Sequence, residues 1–260
     1  MVQGDYEQFK KAVFALTKVD LTAYKEKQMR RRIDTLIERN KFSDYASYAD
    51  GLKKDTHLFD EFINYITINV SEFYRNTDQW ELMDKTFIPE LIKKFGNNLK
   101  IWSAACSTGD EPYSLVMALS RHLPLNQIKI HATDLDKTVI GKAKVGLYNS
   151  KSLAGVPKDL KDKYFTAVGP SFQIKDEIKK RVEFKEHNLL KDPYDKNYDF
   201  IVCRNVLIYF TEEAKDQVFR KFSDSLKIGG ILFIGSTEQI MDYKSMGLER
   251  RNSFYYEKVK

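Results

Sequence analysis

The sequence has little cysteine and no long apolar run, and both absences narrow the class of protein. Only Cys106 and Cys203 occur among its 260 residues, which fits reduced thiols in a cytoplasm better than a disulfide scaffold. The apolar runs are short and interrupted by polar residues, so we predict no membrane-spanning segment. No basic region followed by an apolar stretch stands near residue 1, so we expect no secretory signal and a cytoplasmic location.

Metal-ligand and nucleophile patterns are also missing. Both cysteines lack a histidine nearby in sequence and are therefore predicted to be small packing residues. We predict no metal site, because the four histidines show no metal-ligand spacing. These histidines are His57, His122, His131 and His187.

What is present is the composition of a folded domain. Apolar residues make up 42% and charged residues 31% of the chain, which is typical of a globular protein and not of a disordered one. The length allows one large domain, or a large and a small one. The net charge of +6 is compatible with acidic protein partners, with nucleic acid or simply with a soluble surface, and does not choose among them.

The first 78 residues predict helices only, as a separate N-terminal domain. Apolar residues recur there at helical spacing in three segments joined by short polar connections, which favours a small bundle. Thr22 or Asp20 is predicted to cap the first of these helices and Ser43 the second. The third is predicted over residues 58–68.

Residues 79–260 change to strands that alternate with helices, which predicts a mostly parallel sheet of seven strands. A connecting helix is expected over 80–95, with a break at Pro89. The final strand, 253–258, follows closely on another strand and is predicted to insert antiparallel.

Residues 146–186 interrupt that alternation. Glycine and proline punctuate short strand-like segments in this stretch, such as 164–168 and 181–184. We interpret the whole stretch as an inserted, small antiparallel β element.

The segment 101–115 is the most informative in the chain. An apolar strand enters a turn of small residues, Pro112 opens a helix, and a second strand ends at Asp134. This is the skeleton of a nucleoside-binding unit, in which the acid accepts hydrogen bonds from ribose hydroxyls. The turn lacks the glycine pattern that cradles a dinucleotide, and Asp110 and Glu111 suit a cationic ligand better than a phosphate. S-adenosylmethionine, a nucleoside with a sulfonium and no phosphate, fits these residues.

Each of these residues also has a structural explanation. Asp134 could cap the following helix, and Glu111 could be a first-turn acid favoured by the helix dipole. Tyr209 could be a partly buried aromatic at a strand end. Arg75, taken alone, would be an ordinary surface arginine.

Several segments together resemble the CheR-type chemotaxis receptor methyltransferases, which methylate glutamates of methyl-accepting chemotaxis proteins. The resemblance covers nearly the whole chain and is specific because the segments occur together. They are residues 69–75, 102–114, 132–136, 188–190 and 203–210. The resemblance implies a receptor-docking helical domain, then a Rossmann-like class I methyltransferase domain with the small β insertion.

The resemblance also implies a set of site residues. Arg75 and Tyr209 would serve the chemistry, Glu111 would approach the amino-acid end of the cofactor, and Asp134 the ribose. The implied cofactor-binding set is Asn69, Ser71, Arg75, Glu111, Asp134, Asn188, Leu189, Arg204 and Asn205. Many family members have Thr at Ser71, which keeps the hydroxyl, and Glu at Asp110, whose own role is therefore not implied.

Arg30, Arg31 and Arg32 form a basic run on the predicted first helix. From sequence this is a solvated helix face, and the resemblance makes it a docking face for the acidic receptor bundle. A nucleic-acid role is not favoured, because the helix has few aromatics among its basic residues and no binding motif.

The predicted reaction is methyl transfer from S-adenosylmethionine to receptor glutamates, which gives glutamyl methyl esters and S-adenosylhomocysteine. Recruitment to membrane receptor arrays would come through the receptors, without insertion of the enzyme itself. Two alternatives stay open: methylation of RNA or a small molecule, and a non-catalytic S-adenosylmethionine-binding receptor module.

Overall fold

The computed structural model describes residues 2–260 and contains two compact units. The helical unit comprises the chain up to residue 69 together with residues 209–216, and the sheet unit comprises 70–208 and 217–260. The boundary at 69 precedes the expected boundary at 78, because residues 70–78 pack within the sheet unit. There the Tyr74 N–H donates to Ser114 Oγ at 3.1 Å, and the Phe73 ring lies 4.7 Å from that of Tyr148.

Four helices build the helical unit, with a 3₁₀ turn at Leu21–Ala23 after the first. They are α1 (Tyr6–Thr17), α2 (Glu26–Arg39), α3 (Tyr45–Lys54) and α4 (Thr56–Ile66). The predicted caps were wrong in detail. Asp20 caps the 3₁₀ turn and not α2, and Asp44 rather than Ser43 caps α3, because its carboxylate accepts the Ser47 N–H at 2.8 Å.

An aromatic cluster forms the core of the helical unit. The Phe9 ring on α1 lies 5.2 Å from Tyr45, 6.3 Å from Tyr48 and 6.3 Å from Phe62, so three helices share one buried contact. Helix α2 adds its apolar stripe. The buried residues of that stripe are Met29, Ile33, Leu36 and Ile37.

The sheet unit begins with one continuous helical stretch that has an irregular centre. Helix α5 (Thr77–Leu82) passes through a π turn at Met83–Phe87 into α6 (Ile88–Phe95). The interruption expected at Pro89 lies slightly earlier, in the π turn, and Pro89 itself occupies the first turn of α6, where a missing N–H is tolerated.

Strands and helices then alternate through the sheet unit. The strands are β1 (Ile101–Ala104), β2 (Ile130–Asp134), β3 (Leu147–Asn149), β4 (Phe165–Val168), β5 (Ser171–Ile174), β6 (Val182–Glu186), β7 (Tyr198–Cys203), β8 (Leu226–Ile234), β9 (Leu248–Arg250) and β10 (Tyr255–Lys258). The helices are α7 (Asp110–Leu119), α8 (Lys137–Val145), α9 (Lys158–Tyr164), α10 (Asp176–Lys179) and α11 (Glu212–Ser225), of which the first residues belong to the helical unit.

The large sheet has seven strands in the order β6-β2-β1-β7-β8-β10-β9, which confirms the predicted sheet. Strands β6, β2, β1, β7 and β8 are parallel, and β10 is antiparallel to both its neighbours. Strand order reverses between β1 and β7. The carboxyl ends of these two strands therefore form a topological switch point, where open α/β sheets bind ligands.

The predicted antiparallel insertion is confirmed as a separate three-stranded sheet, in the order β3-β5-β4. The assignment of residues 181–184 to it was wrong. Residues 182–184 belong to β6, which pairs parallel with β2 at the edge of the large sheet. An edge strand with mostly partly exposed or exposed side chains lacks the apolar run of a central parallel strand, which explains the error.

Candidate functional site

The turn after β1 is held in an unusual backbone conformation. Ala105, Ser107 and Gly109 all have positive φ, at 59°, 47° and 87°. At Gly109 a Cβ would lie 2.9 Å from the Ala143 side chain, so glycine is required. Non-glycine residues in the left-handed region cost free energy and concentrate at binding sites.

Asp134 ends β2 and ties the neighbouring backbone to itself. Its Oδ2 accepts the Ser107 N–H at 2.8 Å and its Oδ1 accepts the Asp136 N–H at 3.0 Å. The side chain is buried, and burial raises its pKa to about 6 against the opposing amides. A carboxylate has about four acceptor positions, and the backbone N–H of Leu135 uses a third, so acceptor capacity remains for one further donor.

The helix cap that follows is a different acid. Asp136, and not Asp134, caps α8, because its carboxylate accepts the N–H groups of Thr138 at 2.8 Å and Val139 at 3.4 Å. The alternative that made Asp134 the helix cap is therefore wrong.

Glu111 stands in the first turn of α7 with its carboxylate almost enclosed. Ser103 Oγ donates to Oε1 at 2.8 Å, Arg204 Nη1 lies 4.0 Å from Oε2, and 14% of the side chain is exposed. Burial raises the pKa of Glu111 to about 7, although the Arg204 charge lowers it. A cation that reached this carboxylate would restore its charged form.

Arg204, directly after β7, is a buried cation held from several sides. Its Nη2 donates to the Arg75 carbonyl at 2.7 Å and to the side-chain oxygens of Asn76 and Gln79, both at 3.1 Å. Its guanidinium lies 4.7 Å from the centre of the Phe233 ring. Arg204 therefore ties the segment that carries Arg75 to the carboxyl edge of the sheet.

Arg75 itself is less constrained than Arg204. Its side chain is 34% exposed, and its Nε lies 3.9 Å from a Glu72 carboxylate oxygen, a loose contact that leaves guanidinium donors available.

Asp110, the first residue of α7, is buried. It accepts from Thr108 Oγ at 2.6 Å and hydrogen-bonds Ser71. Among the described residues its Oδ1 has no hydrogen-bond partner, and burial raises its pKa.

The loop after β6 is pinned by its own side chains. The Asn188 N–H donates to Asp192 at 2.8 Å, and Asn188 Oδ1 accepts the Leu190 N–H at 3.0 Å. Leu189 is buried, and its carbonyl accepts the Tyr194 hydroxyl at 2.7 Å. The two residues implied for the adenine thus stand on an ordered loop.

Asn205 follows Arg204 with a φ of 61°, and its N–H donates to Glu238 at 3.0 Å. Glu238 lies after β8 and is buried. Sequence reasoning named neither Glu238 nor Ser103 nor Gln79. The available signal for Glu238 was its position just beyond a central parallel strand, where binding residues gather.

Two implied site residues belong to the helical unit. Asn69 donates its side-chain N–H to Thr67 Oγ1 at 2.9 Å. Tyr209 is half-buried in a 3₁₀ turn at Leu207–Tyr209, and its carbonyl accepts the Lys25 N–H at 2.9 Å.

Two of the three arginines in the basic run contact tyrosine residues of the helical unit. Arg30 donates to the Tyr45 hydroxyl at 3.2 Å, and Arg32 donates to the Tyr65 carbonyl with its guanidinium 4.5 Å from the Tyr65 ring centre. Arg31 is exposed on the surface of α2.

Both cysteines lie where the sheet order predicts. Cys203 ends β7 and Cys106 follows β1, and these strands are parallel neighbours, so both thiols stand at the carboxyl edge of the sheet. They are free and buried, and burial raises the pKa of each thiol.

Two kinds of feature are absent from residues 2–260. These residues contain no helix both long and apolar enough to cross a bilayer, and no group of three or more histidine, cysteine or acidic side chains arranged to hold a metal ion.

A mostly parallel seven-stranded sheet, with a buried acid at the end of the second strand and a strained turn after the first, is typical of a Rossmann-like nucleoside-binding domain. The particular family follows from two matches. Residues 4–67 match the CheR methyltransferase all-alpha domain and residues 69–252 match the CheR methyltransferase SAM binding domain. The chain belongs to the CheR methyltransferase family, and its cofactor is S-adenosylmethionine.

Curated relatives resemble it over nearly their whole lengths. A chemotaxis protein methyltransferase of Listeria innocua is 43% identical over 99% of this chain and 98% of its own. The Listeria monocytogenes protein of the same name is 42% identical over the same shares. That of Borreliella burgdorferi is 33% identical over 88% of this chain and 85% of its own.

Proposed function

We propose that this protein transfers methyl from S-adenosylmethionine to glutamate side chains of methyl-accepting chemotaxis receptors, forming glutamyl methyl esters. The observation that carries the proposal is the match to chemotaxis protein methyltransferases across both the helical and the cofactor-binding domains. A cofactor-binding domain in common with these relatives would by itself support only methyl transfer. The helical domain in common with them supports the further proposal that the substrate is of the same class as theirs.

The sheet unit fits the cofactor by its donor set. The remaining acceptor capacity of Asp134 suits a ribose hydroxyl, and the enclosed carboxylate of Glu111 suits the ammonium group of the amino-acid end. Asn188 and Leu189 would hold the adenine, and Ser71, Arg204 and Asn205 would complete the part of the site that the sheet unit supplies. Asn69, in the helical unit, is proposed from the family resemblance alone. When bound, S-adenosylmethionine supplies a methyl group made electrophilic by its sulfonium.

The substrate chemistry needs little from the protein beyond alignment. A glutamate side chain has an ordinary pKa of about 4.3 and is already an anion near neutral pH, so no general base is required. The half-exposed guanidinium of Arg75 would hold that anion and keep it ionised. Tyr209 would donate one neutral hydrogen bond. Arg75 would therefore bind and orient the carboxylate toward the methyl group.

The helical unit supplies the features of a receptor-docking surface. Exposed Lys27 and Arg31 on α2, and exposed Lys41 just beyond its end, carry positive charge, which suits an acidic helical bundle through long-range attraction. Recruitment to receptor arrays would follow from that contact.

The test is methylation of a receptor cytoplasmic fragment with methyl-labelled S-adenosylmethionine. Glutamyl methyl esters release labelled methanol in mild base, whereas methylated RNA or an N-methylated product keeps its label. Label released from wild-type receptor fragment, and none from a fragment whose glutamates are replaced by alanine, is the expected result. Cofactor binding without transfer to any fragment would instead identify a non-catalytic module.

A further inference from the structure

Glu238 is a buried carboxylate whose hydrogen bonds come from the backbone of two loops. Its Oε1 accepts the N–H groups of Val206 at 3.0 Å and Leu207 at 2.8 Å. Its Oε2 accepts those of Asn205 at 3.0 Å and Gly235 at 2.7 Å. Four donors use the full acceptor capacity of a carboxylate.

The backbone around Glu238 is shaped to make this arrangement possible. Three consecutive N–H groups converge on one anion because Asn205 turns into the left-handed region, with φ at 61°. Gly235 approaches so closely that a Cβ there would lie 2.7 Å from both Asn205 N and Glu238 Oε2. The side chain is 6% exposed, so water cannot readily replace these donors.

Glu238 thereby joins the loops that follow two neighbouring strands. Residues 205–207 follow β7, and residues 235–238 follow β8, which is parallel to β7. The first of these loops begins at Arg204 and Asn205, both at the carboxyl edge of the sheet. Since Glu238 fixes the backbone of Asn205 directly, it controls where this edge of the site lies.

We propose that Glu238 is a positioning residue for the cofactor, which fixes the turn at 205–207 so that Asn205 and the preceding Arg204 meet S-adenosylmethionine correctly. The inference rests on the proposed function only in taking these two residues as cofactor-binding. Glu238 has no direct contact with cofactor or substrate in this proposal.

The decisive substitution is Glu238→Gln, which preserves size but replaces one acceptor oxygen with an amide NH₂. Two backbone N–H groups would then face another donor, so the turn must shift. The measurement is the Kd of S-adenosylhomocysteine by calorimetry, together with the thermal midpoint. We expect the Kd to rise roughly ten-fold, the consequence of unsatisfied buried donors at a binding edge.

Asp199→Asn is the matched control. Asp199 is also a buried carboxylate on β7 that accepts a backbone N–H, that of Lys100 at 2.7 Å, but it stands near the amino end of the strand. Its loss should lower the thermal midpoint and leave the Kd of S-adenosylhomocysteine unchanged. A purely structural role for Glu238 predicts that both variants behave alike in binding.

The outcomes separate this inference from the proposed function. If the wild type and a folded Glu238→Gln variant bind S-adenosylhomocysteine with the same Kd, the inference is overturned and the proposed function is not. Wild-type protein that transfers no methyl to receptor would overturn the proposed function alone. Should Glu238→Gln fail to fold, amide hydrogen exchange of the wild type decides: rapid exchange at 205–207 without cofactor would overturn the inference, and slow exchange supports it.

Discussion

The helical unit and the sheet unit use charge in opposite ways. In the sheet unit Asp134, Glu111 and Arg204 are buried or nearly so, and each is fixed by hydrogen bonds at short range. In the helical unit Arg31 and Lys27 are exposed on one helix, where salt screens their interactions. From this difference we expect that removal of a buried charge in the sheet unit has a large, local effect, whereas removal of an exposed charge in the helical unit has a small, salt-dependent one.

Arg75 should show the largest effect. Arg75→Ala is expected to lower kcat roughly 100-fold, because a charged donor at the reacting carboxylate is lost, and Arg75→Lys should recover only part, because the planar fork is absent. Steady-state methylation of receptor fragment measures both. Arg121→Ala is the control, since Arg121 only pairs with Asp159 on the surface. A kcat for Arg75→Ala within two-fold of wild type would remove Arg75 from the chemistry.

Asp134 and Asp136 should separate binding from folding, although they stand two residues apart. Asp134→Ala should weaken S-adenosylhomocysteine binding by about 1.5–3 kcal/mol, the usual range for a charged hydrogen-bond partner. Asp136→Ala removes the cap of α8 and should instead lower the free energy of unfolding by about 1 kcal/mol. Calorimetry and denaturant unfolding of both variants check the pair. Unchanged affinity in folded Asp134→Ala would falsify the ribose assignment.

The sequence predicted the parts of this molecule that depend on local pattern. The parallel sheet, the acid after the second strand and the antiparallel last strand were all visible as runs of apolar residues followed by a turn or a polar residue. Strand β6 was misassigned because its partner, β2, is some 50 residues away along the chain, and an edge strand carries a weak apolar signal.

Other features depended on contacts that no local pattern shows. Three of the four amides that converge on Glu238 come from residues about 30 positions earlier, and the partners of Arg204 lie more than 120 positions earlier. The choice of Asp44 over Ser43 as a helix cap likewise depended on backbone geometry, since both residue types cap helices well. The roles of the individual site residues stay predictions.

Glu111 should make cofactor affinity depend on pH. Its pKa of about 7 in the cofactor-free protein means that a cation binds its carboxylate only after a proton leaves, so affinity should fall up to about ten-fold per pH unit below 7. In the absence of cofactor the stability of the fold has the opposite pH dependence. Because the pKa of Glu111 is raised in the folded protein, the free energy of unfolding falls as pH rises toward 7.

Calorimetry of S-adenosylmethionine and S-adenosylhomocysteine between pH 6 and 8, in two buffers of different ionisation enthalpy, tests this linkage. Glu111→Gln should bind more weakly and lose the part of the pH dependence near pH 7, while the titration of Asp134, with a pKa of about 6, remains. If the affinities of both ligands depend on pH in a similar way, the cation that Glu111 binds is the amino group, which both ligands carry. If only the affinity of S-adenosylmethionine depends on pH, that cation is the sulfonium. Affinity that is flat with pH for both would contradict the assignment.

Tyr209 should show a moderate effect restricted to turnover. Tyr209→Phe removes one neutral hydrogen bond, so kcat should fall roughly ten-fold while cofactor affinity is kept. Tyr24→Phe, also in the helical unit, is the control for loss of a hydroxyl. If Tyr209→Phe lost cofactor binding with kcat intact, Tyr209 would be a wall of the pocket and not a participant in the chemistry.

Charge reversal on α2 should give the smallest and most salt-dependent change. Lys27 and Arg31 stand one turn apart and are both exposed, so Lys27→Glu with Arg31→Glu should raise the receptor KM several-fold at low ionic strength. The double variant Lys53→Glu with Lys54→Glu, on exposed positions of α3, changes the net charge equally and should leave KM nearly unchanged. Raising salt should weaken the wild type toward the α2 variant, because exposed charges are screened within about 8 Å at physiological ionic strength. Equal KM values for the two double variants would show that net charge, and not this helix face, attracts the receptor.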